Sequence, residues 1–211
     1  MQANRIALLG LLLNSLVPGW TLCAGELAAN VATNKPAFKV AVVNEFGPHI
    51  VPTRRVYLTS GTNRFAFLIS DGLRMQPSDP QKITLVGSDN SCLITVRIMG
   101  PMPVDAKELA VDDQRERALE LHPGARIMNE FSMHAGNAGG PAFDLRWTAA
   151  GDFGRMARVA FIPSAAGILE FSLESSAEKF PQMQPTLNFI MLTFRASENG
   201  KLEVIPISDQ I

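Results

Sequence analysis

Cysteine is almost absent: Cys23 and Cys92 are the only two in 211 residues. No C-x-x-C spacing exists, so neither a zinc ribbon nor a thioredoxin-like redox centre can be built. The three histidines, His49, His122 and His134, form no H-E-x-x-H, and no G-x-S-x-G elbow occurs. Charge of either sign is sparse and balanced: 19 Lys and Arg face 20 Asp and Glu. Without a basic cluster the chain lacks what nucleic-acid phosphates require. Long apolar runs are missing too. The longest, "IALLGLLLNSLV" from Ile6 to Val17, is too short to cross a bilayer comfortably.

That run has a setting of its own. Arg5 precedes it, Pro18 and Gly19 end it, and "LCA" at Leu22 to Ala24 supplies small residues near a cleavage point. This is the three-part layout of a secretory signal peptide over residues 1–24, cut after Ala24. The alternative is an uncleaved anchor, and only in that form would the protein touch a membrane. Cys23 follows the large Leu22, which argues against lipoprotein attachment and for a discarded thiol. The expected location is therefore exported, periplasmic or secreted. Cleavage would leave 187 residues with 18 basic and 20 acidic side chains. A chain of that length forms one domain that buries about 70% of its unfolded surface. Cys92 would then be alone, with no disulfide partner.

Residues 25–55 read as a polar, partly disordered lead-in with one strand, "FKVAVV". Residues 56–211 read as a single domain. In "RVYLTSGTNRFAFLIS", Val56 and Leu58 alternate, "SGTN" turns, and Phe65, Phe67 and Ile69 alternate back: a hairpin. "KITLVGSDNSCLITVRI" repeats the device around Ser88 to Ser91. Its Cys92, Ile94, Val96 and Ile98 share a strand face, which makes Cys92 a buried, inert thiol rather than a nucleophile. Asp105 with Glu108 three residues later opens a helix over about 105–122, whose "DDQRER" reads as a solvated face. A second helix over about 176–195 carries Leu187, Ile190, Met191 and Phe194 at i, i+3, i+4 and i+7, a stripe suited to core packing. Pro185 fits the first turn of that helix. "LEVIPI" in the tail is a candidate edge strand.

Between the helices, about 126–174, lies a four-strand meander. Facing Glu130 with Arg146, Leu145 with Val159, and Phe161 with Leu169 collects Phe131, Met133, Phe143, Leu145, Trp147, Val159, Phe161, Leu169, Phe171 and Leu173 on one face. The reverse face then carries Glu130, Ser132, His134, Asp144, Arg146, Arg158, Glu170 and Glu174. "HAGNAGGPAFDLRW" sits inside this meander. A phosphate-cradling loop opens a helix, whereas here an alternating strand follows, so the glycines serve a reversal.

The order hairpin, hairpin, helix, meander, helix resembles the PsbP-like superfamily of α/β/α sandwiches. The phrases that carry the resemblance are "FAFLISDGLRM", "AGGPAFDLRW" and "LEFSLESSAEKF…LNFIMLTF", within about residues 62–196. Ser70 stands where that family usually has a proline, and Leu73 where it has an aromatic. The resemblance implies an α+β fold with a central antiparallel sheet and packing helices. It also implies an extracytoplasmic accessory or binding module that acts by docking to partners.

On the residues themselves, the plainest use of the charged face is a solvated ladder of opposite charges, each pair adding a few tenths of a kcal/mol. The sharper reading makes Glu130, His134, Asp144, Arg146, Arg158 and Glu170 a binding surface for a protein partner or a small anion, with Arg146 and Arg158 close enough to share the anion. No cofactor, catalytic residue or metal ligand set is expected. His134 and Glu130 are only two of the three or four ligands zinc needs, and Arg146 beside Asp144 and Glu130 favours ion pairing over a raised carboxyl pKa. The expected function is thus a non-catalytic envelope module. The alternative is a small hydrolase or metal-dependent enzyme with its site on the same face.

Overall fold

Two layers of antiparallel sheet come from what reads in one dimension as a string of hairpins. The computed structural model describes residues 39–45, 53–76, 81–100, 109–149, 154–197 and 202. In chain order these form β1 (Lys39–Glu45), β2 (Thr53–Ser60), β3 (Asn63–Ile69), β4 (Leu73–Gln76), β5 (Lys82–Gly87) and β6 (Cys92–Gly100). Helix α1 (Val111–Leu121) follows, then β7 (Arg126–Ala135), β8 (Ala138–Thr148), β9 (Gly154–Ser164) and β10 (Gly167–Ser176). Helix α2 (Phe180–Thr193) and the two-residue β11 (Arg195–Ala196) complete the series.

The first hairpin joins β1 and β11 in a four-stranded sheet of order β1-β2-β3-β11. The second hairpin enters the meander sheet, because β6 pairs with β10, giving β4-β5-β6-β10-β9-β8-β7. Both hairpins form where the alternation places them. Val56 faces Phe67 and Leu58 faces Phe65, and Ser88 to Ser91 connect β5 to β6. Cys92, Ile94, Val96 and Ile98 are all buried. The leader, most of the lead-in, the Asp105–Glu108 capping pair and all of "LEVIPI" but Leu202 lie outside the described residues.

Both helices are shorter than their patterns suggest. Leu109 and Ala110 are not helical, and α1 begins at Val111, with Asp112 and Asp113 in its first turn, where the helix dipole favours acids. Strand β10 continues to Ser176, so α2 starts only at Phe180, with Pro181 in its first turn and Pro185 one turn further inside. Its stripe behaves as expected: Leu187, Ile190, Met191 and Phe194 are buried. Phe194 stacks on Phe65 at 5.7 Å and meets Phe171 edge-on at 5.1 Å between ring centroids.

The one-sided meander is overturned. Strand β7 pairs Glu130 with Phe143 and Phe131 with Ala142, three residues from the expected offset. Strand β10 pairs Glu170 with Phe161 and Phe171 with Ala160, one residue away. Both shifts are odd, and an odd shift moves every side chain of a strand to the other face of its neighbour. The β8–β9 offset differs by two, pairing Phe143 with Val159, and so keeps its faces.

The reason for the first shift is the turn. Ala135 faces Ala138, so only Gly136 and Asn137 reverse the chain, with Gly136 at φ +60 in the first central position of a type II′ pattern. Gly139 and Gly140, which look like loop, are strand. A Cβ on Gly140 would lie 1.9 Å from the Phe161 carbonyl oxygen, and one on Gly139 2.7 Å from Nε2 of His134.

As a result the meander sheet is apolar on both faces. Phe131, Met133, Leu169, Phe171 and Leu173 look toward α2 and the four-stranded sheet, in one core with Val56, Phe67 and Ile190. Phe143, Leu145, Trp147, Val159 and Phe161 look the other way, under α1, with Leu109, Ala118 and Leu121.

Candidate functional site

The eight polar residues of the meander divide with the apolar ones. Asp144 and Arg158 lie between the sheet and α2. Arg158 donates from Nε to Oδ1 of Asp144 at 2.8 Å and from Nη2 to Oδ2 at 3.0 Å, and the Asn129 amide donates to Oδ2 at 3.2 Å. Its guanidinium stands 4.8 Å from the Phe131 ring centre and 5.9 Å from that of Phe180. The two side chains are 11% and 5% exposed. Arg146, opposite Met156, is on this same face and solvent-exposed. An anion shared by Arg146 and Arg158 is thereby excluded as a reading: the Asp144 carboxylate already fills the fork of Arg158.

The other acids face α1. Glu170, buried, accepts from Arg97 on β6, from Nε at 2.7 Å and also from Nη2. Glu174 pairs with Arg155. Beside them the His122 imidazole, just past the end of α1, packs at a tilt against Trp147, with 4.8 Å between ring centroids. Burial holds His122 below its usual pKa; Glu174 pulls the other way and Arg97 adds to the lowering. Burial likewise pushes the Cys92 thiol up, which makes it a poor nucleophile.

Glu130 and His134 remain, together with Ser132, at alternate positions of β7 on the α1 side. They line an open cleft of about 450 Å³. Its other walls are Leu109 just before α1 and Val111 at its start, Gly139, Gly140 and Pro141 from β8, and Pro163 from β9. The His134 ring lies across Gly139, its cross-strand neighbour, where any side chain would displace it. Arg115 of α1 fastens Glu130: Nε and Nη2 donate at 3.1 and 2.7 Å, both to Oε2, and a third donor goes to Asp112. Among the described residues no three His, Cys, Asp or Glu side chains converge as metal ligands would.

Of the six expected site residues, then, the structure brings together Glu130 and His134. Asp144, Arg146 and Arg158 sit on the far face, and Glu170 is sequestered by Arg97. Sequence reading missed Arg115, Val111, Pro141 and Pro163. Arg115 belongs to "DDQRER", read as a solvated face, and nothing in its spacing announces a bond to a strand fifteen residues on.

A central antiparallel sheet carrying one helix on one face, and a helix with a smaller sheet on the other, is a PsbP-like α+β fold. Among solved structures, the chain is similar to cyanobacterial PsbP (CyanoP) from Synechocystis sp. PCC 6803, with a TM-score of 0.52. Identity is 14%, over 72% of this chain and 96% of that one. Weaker likenesses are to the Ran-binding protein Mog1p of Saccharomyces cerevisiae, with TM-score 0.47, 12% identity, and 75% and 95% of the two chains covered. LpqN of Mycobacterium tuberculosis gives TM-score 0.41 and 10% identity, over 75% and 92%. No protein-family model and no curated protein matches the sequence. The fold is PsbP-like, as the sequence resemblance implied.

Proposed function

We propose that this protein is a non-catalytic binding module of the bacterial cell envelope, exported by its leader-like first 24 residues, that holds a protein partner in the cleft beside β7. The observation that carries the reading is the cleft's lining. Apolar walls from Leu109, Val111, Pro141 and Pro163 flank a short row of polar groups, the pattern of a recognition groove. Both Arg115 donors to Glu130 go to Oε2, and Glu130 brings a carboxylate to the cleft lining. Asp112, Asp113 and Glu116 add acid on the exposed face of α1. A partner segment presenting an apolar side chain next to a lysine or arginine fits this chemistry, and a small anion does not.

The test is capture from an envelope extract, followed by direct titration of the captured protein. Val111→Arg fills the cleft from an exposed position and should abolish binding, while Arg146→Ala on the opposite face should leave it intact. Equal binding by both variants would remove the cleft from the account. A hydrolytic activity lost in His134→Ala would favour the enzyme alternative instead.

A further inference from the structure

Strand β7 is the last strand of the seven-stranded sheet, and among the described residues nothing pairs with its outer edge. Sheet edges are normally blunted by shortness, proline, lysine or a bulge. The opposite edge, β4, is four residues long. On β7 the one irregularity, between Ile127 and Asn129, lies near its start. From Asn129 to Ala135, "NEFSMHA", the strand is regular, with no proline, glycine or lysine.

That stretch is complementary to itself. We infer that β7 pairs antiparallel with β7 of a second copy, about a two-fold axis through Ser132 and perpendicular to the sheet. Such an axis keeps the α1 sides of both copies together, so each side chain meets one from its own face. On the α1 side, Glu130 of each copy faces His134 of the other, and Ser132 faces Ser132. On the α2 side, Phe131 faces Met133, a sulfur–aromatic pair, and Asn129 faces Ala135. Phe131 and Met133 are only partly buried, although both pack on the main core, so a second copy would finish their cover. A shift of the axis by one residue sets Phe131 against Phe131 or Met133 against Met133 and leaves no Glu–His pair. The sheet becomes continuous across both copies, and the two clefts lie side by side on one surface. The pairing goes beyond the binding reading and does not need it.

The experiment is light scattering of the full chain as it elutes from a sizing column, with oxidative crosslinking of single-cysteine variants in a Cys23→Ser, Cys92→Ser background. Dimer mass is expected, with Ser132→Cys forming a covalent dimer faster than Glu130→Cys or His134→Cys, because only the residue on the axis meets itself. His134→Glu, an exposed change, should weaken association about tenfold by opposing two pairs of carboxylates. Glu130→Lys combined with His134→Glu should restore it. A monomer at all accessible concentrations overturns the inference, as does crosslinking that favours any position other than 132. Dimer mass and crosslinking are read on the purified chain with no partner present, so a failure of the dimer and a failure of partner binding are read separately.

Discussion

Replacing Asp144 by alanine tests the placement on which the two-faced sheet depends. Its carboxylate makes three hydrogen bonds, two of them from Arg158 and one from Asn129, beneath α2. Removing it strands a guanidinium whose side chain is only 11% exposed. Breaking one side of such a pair costs about 3–5 kcal/mol, because the surviving charge stays desolvated. Arg158→Met should cost a similar amount, since it leaves the Asp144 carboxylate with the Asn129 amide alone. The double variant Asp144→Leu, Arg158→Met fills the same space with apolar groups beside Phe131 and Phe180. It should lie within about 1 kcal/mol of wild type or above it. Urea unfolding followed by circular dichroism gives all four free energies, and melting temperatures should drop by about 6–20 °C for the single variants. A loss below about 1 kcal/mol in Asp144→Ala, or simple additivity in the double variant, would mean that the pair faces water. The opposite-face assignment of Phe131 and Phe143 would fail with it.

Three further outcomes follow from the same packing. Gly140→Ala should destabilise by at least about 2 kcal/mol, since its Cβ would strike the Phe161 carbonyl oxygen, whereas Gly139→Ala only displaces the His134 ring and should cost less. Because burial lowers the His122 pKa, the unfolded chain binds that proton more readily. His122 therefore contributes no pH dependence well above its ordinary value of 6.5, and stability falls as pH drops through that value. Urea midpoints between pH 7.5 and 5.5 should show the decline, and His122→Phe should flatten it. The buried Cys92 thiol should react with a disulfide reagent only as fast as the domain opens, and promptly in denaturant, so rapid labelling of the native protein would contradict its burial.

Much of the fold could be read in advance. The two N-terminal hairpins, the α2 stripe and the four meander strands stand where periodicity sets them, and the PsbP-like resemblance implied the α+β architecture that the structure has. The candidate site was less legible. Glu130 and His134 sit together because they are two turns of the pleat apart on one strand. Asp144, Arg146, Arg158 and Glu170 separated from them because their places depended on offsets between strands. Arg115 reaches Glu130 only through the docking of α1, and the Pro141 and Pro163 walls need β8 and β9 aligned at their ends.

Alternation along a strand states which residues share a side, and that much belongs to the one-dimensional pattern alone. It does not state which side of the neighbour they join. When helices cover both surfaces of a sheet, each surface must be apolar, so a slip by one or three residues buries as much oil as the true register and burial cannot choose between them. The choice fell to local contacts that no pattern displays: a reversal through Gly136 and Asn137 alone, a glycine at 140 against the Phe161 carbonyl, and a carboxylate at 144 in the fork of Arg158.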